Sequence, residues 1–218
     1  MIITKHHNNQ TNWVLIMSGL HGNEIAGKIA IKKLKDSLPK NFNYCIIEEI
    51  NETDLRLLDG VDLNREFFCD CKNENITEAI KEIKGIGKFK IVIDLHETFD
   101  KSESIAREGL TPNGFYLYEK RTEGISLGHE IIAKLENIGI SICQHKTIWG
   151  EKNTYGVILY PEDNTNKTYQ ESYTFENFVH NENLTTHSIV LESYGGNLLT
   201  DRVRAHQSAI RTILKALE

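Results

Sequence analysis

Three stretches of this chain are apolar on consecutive residues: "WVLIMS" (13–18), "FKIVIDLH" (89–96, apolar on both faces until Asp94) and "SIVLES" (188–193). A strand with one wet face alternates apolar and polar side chains. A strand that is apolar throughout must be covered on both sides, and such strands belong mostly to parallel sheets layered between helices. Between and after these runs the apolar period changes. "EIAGKIAIKKLKDSL" (24–38) brings Ile25, Ile29 and Leu34 near helical spacing, and Pro39 closes the unit. "ITEAIKEIKGIG" (76–87) sets Ile76, Ala79, Ile80 and Ile83 on one face and ends on glycine. "EGISLGHEIIAKLENIG" (123–139) reads as a helix, as does the tail "DRVRAHQSAIRTILKALE" (201–218), with Val203, Ile210, Ile213, Leu214 and Leu217 at helical spacing. "NYCIIEEI" (43–50) and "GFYLYE" (114–119) read as further strands. Alternating strands and helices predict an α/β layered fold with a largely parallel central sheet. There is no internal repeat and no clear linker, so residues 1–218 are read as a single domain. The polar segment 161–187, rich in Asn, Thr and Glu, reads as a long surface excursion of the kind that serves as a lid or binding loop.

The composition narrows the function classes. A chain of 218 residues, 39% hydrophobic and 26% charged, has the makeup of an ordinary globular protein with one good-sized core. A formal charge of −6, with no basic stripe, excludes a nucleic-acid binder that works by bulk charge. The run "KKLK" (32–35) reads as the solvated side of a helix. No stretch reaches the ~18 apolar residues of a membrane span. The first residues lack a basic region followed by an apolar run, so the expectation is a cytoplasmic protein without a secretory signal. Cys45, Cys69, Cys71 and Cys143 do not form a disulfide framework for this length and read as reduced thiols. Cys69 and Cys71 form C-x-C, which can bind metal, but no second pair stands near.

Polar groups recur at one kind of position. In "SGLHGNEIAG" (18–27), His21 and Glu24 follow the strand that ends at Ser18; His96 ends "IVIDL", and Glu192 ends "SIVLE". If these strands run parallel, all four side chains meet at the carboxyl rim of the sheet, where open α/β folds bind ligands. His21 and Glu24 are three apart, so one turn brings them to the same side. With His96 they make a His-Glu-His set, the composition of a catalytic zinc site with one position open for water. Asp94 stands two residues before His96 and could accept a hydrogen bond from a ligating imidazole. Each of these residues also has an ordinary reading: H-x-x-E pairs are common surface accidents, and a lone buried histidine is often a satisfied core residue. "DLNREFF" (62–68) places Asn64 beside Arg65 in a polar turn. The pair could be a helix cap or surface pair, or, beside a metal, a clamp for a carboxylate.

Taken in order, "LHGNE", "DLNR", "IDLHET" and "VLES" resemble the zinc carboxypeptidase superfamily over about residues 13–196, closest to its succinylglutamate desuccinylase/aspartoacylase branch. The resemblance implies a mixed, largely parallel sheet with helices on both faces, and one zinc ion bound by His21, Glu24 and His96. It implies Glu192 as general base and then acid, and Asn64 and Arg65 as holders of the substrate's free carboxylate. For the arginine that stabilises the oxyanion, "INETDLRLLDGVDLNR" (50–65) offers Arg56. The implied reaction is hydrolysis of an amide bond next to a free carboxylate, in a small acyl-amino acid or a peptide. The short stretch from Glu24 to His96 favours the deacylase branch over the digestive carboxypeptidases. Residues 193–218 hold only the last helix, where aspartoacylase-like enzymes continue into a further β-rich domain, which implies a more open cleft. Tyr155, Tyr160, Tyr169 and Tyr173 are all available as a substrate-covering tyrosine, and none is singled out. Two other readings stay open: a non-catalytic relative that binds carboxylate-terminated peptides, and a metal-free α/β binding protein whose histidines are structural.

Overall fold

The computed structural model describes residues 1–68, 70–99, 111–160 and 173–218. The strands are β1 (Ile2–His6), β2 (Trp13–Ser18), β3 (Asn43–Glu48), β4 (Ile91–Thr98), β5 (Tyr116–Arg121), β6 (Thr147–Ile148), β7 (Glu151–Lys152), β8 (Val157–Leu159) and β9 (His187–Tyr194). The α-helices are α1 (Ile25–Leu34), α2 (Glu74–Ile86), α3 (Gly128–Asn137), α4 (Phe175–Asn181) and α5 (Leu199–Ala216). Seven strands form one mixed sheet in the order β1-β3-β2-β4-β9-β5-β8. The central four, β3, β2, β4 and β9, are parallel, while β1 and β5 run antiparallel to their neighbours β3 and β9.

Helices cover both faces, as expected, and the alternation of side chains decides which face meets which layer. Val14 and Ile16 of β2, Ile91, Ile93 and Leu95 of β4, and Ile189 and Leu191 of β9 join a core with Ile31 and Leu34 of α1, Ile131 and Leu135 of α3, and Ile210 and Ile213 of α5. Leu15, Met17, Cys45, Ile47 and Val92 point the other way, against Ile76, Ala79 and Ile83 of α2 and Phe175, Phe178 and Val179 of α4. The consecutive apolar runs are therefore one strand serving two cores. On β4 the second face continues as Val92, Asp94, His96 and Thr98, so its apolar surface becomes a polar one at the carboxyl end of the strand.

Several elements differ from the reading of the sequence. β1 pairs with β3 at the sheet edge, and its residues are exposed or only partly buried, with Ile3 alone among them packing against the core. The α1 face that packs is made of Ala26, Ala30, Ile31 and Leu34, while Ile25 is 36% exposed. Small residues let α1 lie close to α5. The third helix begins only at Gly128, because buried Glu119 accepts hydrogen bonds from Leu127 N (2.8 Å), Gly128 N (3.0 Å) and Ser126 Oγ (2.6 Å) and fixes the start there. Within the segment read as a surface excursion, residues 161–172 lie outside the described residues. From 173 onward the reading is corrected: Thr174 Oγ1 accepts from Asn177 N, capping α4, whose Phe175, Phe178 and Val179 are buried. Lys32 and Lys33 are exposed, the solvated side expected of "KKLK". Cys45, Cys71 and Cys143 are free thiols; Cys69, and with it the C-x-C pair, lies outside the described residues. Among the described residues no helix is long and apolar enough to cross a membrane.

Candidate metal centre

After Ser18 the backbone leaves the sheet through Gly19, whose φ of +74° only glycine adopts without strain. Gly19 O accepts from Asn51 N at 2.8 Å, and Gly22 N donates to Leu55 O at 2.9 Å. The loop 51–56 thus lies directly on the "HGNE" turn. A Cβ on Gly22 would stand 1.8 Å from Thr53 O, so that contact excludes every other residue type. The turn delivers His21 to the sheet rim and makes Glu24 the N-cap residue of α1.

His21, Glu24 and His96 converge. Glu24 Oε1 lies 2.7 Å from His21 Nδ1, and Glu24 Oε2 lies 2.8 Å from His96 Nδ1. All three side chains are buried, with one ligand atom from each within 4.8 Å of the others. The outer nitrogens are held as well. His21 Nε2 meets Asp62 Oδ1 at 2.8 Å, and His96 Nε2 meets Asp94 Oδ2 at 3.0 Å. The Asp94 contact is the one expected from its position two residues before His96. Asp62 was not anticipated; the signal was its place at the head of "DLNR", where its carboxylate also accepts from Asn64 N at 3.0 Å.

The donor chemistry fits a divalent cation. With each imidazole Nε2–H donating to its carboxylate, Asp62 or Asp94, the Nδ1 lone pairs of the neutral rings face Glu24. Lone pairs facing a carboxylate repel unless positive charge stands between them or on the rings. The described groups register that demand. Burial alone would depress both imidazoles, but Glu24 and Asp62 hold His21 above its ordinary value, and Asp94 and Glu24 hold His96 well above. Burial alone would raise Glu24, yet the charges of His21 and His96 keep it far below the usual carboxylate range.

Glu192 stands in register with His96 across the β4–β9 ladder, and with Tyr116 on its other side. Thr98 Oγ1 donates to Glu192 Oε2 at 3.1 Å; Thr98 also bonds Tyr116 Oη at 2.7 Å, which receives Trp149 Nε1 at 3.3 Å. Burial pushes the Glu192 carboxyl up to about 7; the charge of Glu24 adds to this, while His96, Arg56 and the Thr98 hydrogen bond pull against it. A carboxyl poised near neutrality is suited to taking and returning protons. Arg56 reaches into the same space from the loop 51–56, with Nη1 donating to Glu24 Oε1 at 2.8 Å.

The Asn64–Arg65 pair is close by but partly engaged. Asn64 Oδ1 accepts from Phe175 N at 3.0 Å, tying the turn to the start of α4 and leaving its Nδ2 as donor. Arg65 Nη1 donates to Asn64 O at 3.1 Å, one of the five donors of its guanidinium. Among the tyrosines, Tyr155 is remote, with its hydroxyl donating to Glu136 on α3. Tyr160 stacks on Tyr118 at 5.3 Å, close enough to Arg65 and Glu192 for their charges to act on its phenol. Tyr173 packs on Phe68 at 5.0 Å; Tyr169 lies outside the described residues.

No protein-family model matches the sequence, and no curated protein matches it. Solved structures do share the fold. A candidate metallopeptidase of Shewanella amazonensis superposes with a TM-score of 0.75 at 18% identity, over 99% of this chain and 81% of that one. A second, from Shewanella denitrificans, gives 0.70 at 18% identity over 94% and 74%. The cell shape determinant Csd4 of Helicobacter pylori, with a tripeptide bound, gives 0.70 at 16% identity over the whole of this chain and 55% of its own. Csd4 is described as a D,L-carboxypeptidase. These likenesses agree with a carboxypeptidase-like α/β fold, and the descriptions of these neighbours name metallopeptidases and a carboxypeptidase.

Proposed function

We propose that this chain is a zinc-dependent hydrolase that cleaves an amide bond beside a free carboxylate, with the ion held by His21, Glu24 and His96. One observation carries the reading: two buried imidazoles turn Nδ1 toward opposite oxygens of one glutamate, while two further carboxylates secure their Nε2 atoms. A structural histidine pair needs no such second set of carboxylates. When bound, the cation would polarise the scissile carbonyl and acidify a water.

The remaining chemistry belongs to the side chains. Asn64 Nδ2 and the Arg65 guanidinium bind the substrate carboxylate, and that positioning supplies several kcal/mol of the barrier. Glu192 takes a proton from the attacking water as its oxygen bonds to the carbonyl carbon. It then gives that proton to the leaving nitrogen as the C–N bond breaks. Arg56, beside Glu24, donates to the oxyanion that forms between those two steps.

A peptide substrate is favoured over a small N-acyl-amino acid. The structural neighbours are described as peptidases, and one is solved with a tripeptide bound. The chain spans about half the length of Csd4. The test is a panel of dipeptides, tripeptides and N-acyl-amino acids, with free or amidated C-termini, offered to zinc-loaded protein. Release of a C-terminal residue that stops on amidation supports the reading. Cleavage of acyl-amino acids alone would move it to the deacylase branch, and no hydrolysis by zinc-loaded protein would favour a carboxylate-binding module.

A further inference from the structure

Glu24 occupies the N-cap of α1 yet does none of a cap's work. A cap side chain ordinarily accepts from the N–H two or three residues on. Here both Glu24 oxygens face His21, His96 and Arg56, and the helix has no side-chain cap of its own. The donor this exposes, Ala26 N, is satisfied from another element: Glu97 of β4 accepts it through Oε1 at 2.8 Å. The Glu97 backbone N–H also donates to Glu24 Oε2 at 3.0 Å. One residue of β4 therefore grips Glu24 twice, at its carboxylate and through the helix turn that carries it.

A fully buried carboxylate needs a counter-charge. Arg202 of α5 provides it, pairing with Glu97 Oε2. Arg202 is itself fixed by Nε donating to Asn197 O at 3.1 Å. Ser193 Oγ lies 3.4 Å from Glu97 Oε2 and 3.1 Å from His206 Nε2. All of this sits on the sheet face opposite the imidazoles, because Glu97 alternates with His96 along β4.

We infer that Glu97, neutralised by Arg202, is a surrogate N-cap that frees Glu24 to bind the metal and holds it in position. The pair are positioning residues and touch neither metal nor substrate. The inference rests on the metal-site reading above and goes beyond it by explaining how a helix cap is released for ligation.

The test is zinc affinity, measured by competition with a chromogenic chelator in wild type, Glu97→Ala and the double variant Glu97→Gln/Arg202→Met. Amide exchange at Ala26 in the metal-free proteins reports the cap directly. Gln keeps an acceptor for Ala26 N, and Met fills the Arg202 volume without a stranded charge. Wild type binds one zinc. Glu97→Ala binds it about 10- to 100-fold more weakly and loses protection at Ala26, while the double variant stays within a few-fold of wild type on both readouts. Should Glu97→Ala fold too poorly to measure, the double variant decides: near-wild-type affinity supports the cap, and a loss as large as that expected of the Ala variant overturns it. A folded Glu97→Ala with wild-type affinity overturns the positioning role and leaves the metal site standing. Wild type that binds no zinc overturns both.

Discussion

Glu192 is costly to the fold for the same reason that it is suited to proton transfer. Its carboxyl titrates at about 7 in the folded chain, against 4.5 for the unperturbed group. The folded protein therefore keeps this proton up to about pH 7, and the unfolded chain releases it near 4.5. Stability associated with the group is full below the unfolded value and is lost as pH rises through the folded one. The whole window is worth about 3 kcal/mol at ~1.4 kcal/mol per unit. Glutamine at 192 cannot ionise and escapes that loss. Metal-free Glu192→Gln is expected to be more stable than wild type by under ~1 kcal/mol at pH 5 and by about 3 kcal/mol at pH 8. For a chain of this length the pH 8 difference is a rise of about 6–12 °C in Tm. Thermal and urea melts with chelator present, at both pH values, measure it. The same variant, zinc-loaded, should keep its metal and lose about 10²- to 10⁴-fold in kcat. Equal stability of variant and wild type at pH 8, or a gain of the same size at pH 5 and pH 8, would refute the account of Glu192. So would near-normal turnover.

Arg56→Ala removes the guanidinium beside Glu24; kcat should drop about 10²- to 10³-fold with KM little changed, read from steady-state kinetics on a cleaved substrate. Asp62→Asn replaces the carboxylate that secures His21 Nε2 and should weaken zinc binding about 10- to 100-fold in chelator competition, with the fold retained by circular dichroism. Gly22→Ala drives a methyl into Thr53 O and must displace the loop carrying Arg56. It should cost about 1–3 kcal/mol in a urea melt and reduce kcat in parallel with Arg56→Ala.

The sheet was legible because its central strands are apolar on consecutive residues: β2 has the limits read from the sequence, and β9 extends one residue beyond at each end. The edge strand β1 was not, since Ile2 and Ile3 set among Thr, Lys and His make no period that stands above a polar N-terminus. Helix α4 hid because its three buried apolar residues are interleaved with Glu, Asn and His, and two of these polar residues, Glu176 and Asn177, are themselves buried, so no apolar period stands out. At the site, His21, Glu24, His96 and Glu192 could be nominated because a strand end is a recognisable place. Glu97 and Arg202 could not, because each acts by reaching a residue 71 or 105 positions away. Such contacts follow from sheet order, β2 beside β4 beside β9, and no local spacing encodes that order.

The central claim is that two imidazoles and one carboxylate share a single cation. Zinc-edge X-ray absorption on protein purified without a histidine tag, with its zinc counted per chain, tests it most directly. The account predicts about one zinc per chain in a shell of nitrogen and oxygen at ~2.0–2.2 Å, abolished by His96→Ala. No stoichiometric zinc, or a shell containing sulfur at ~2.3 Å that would point to the cysteines, contradicts it.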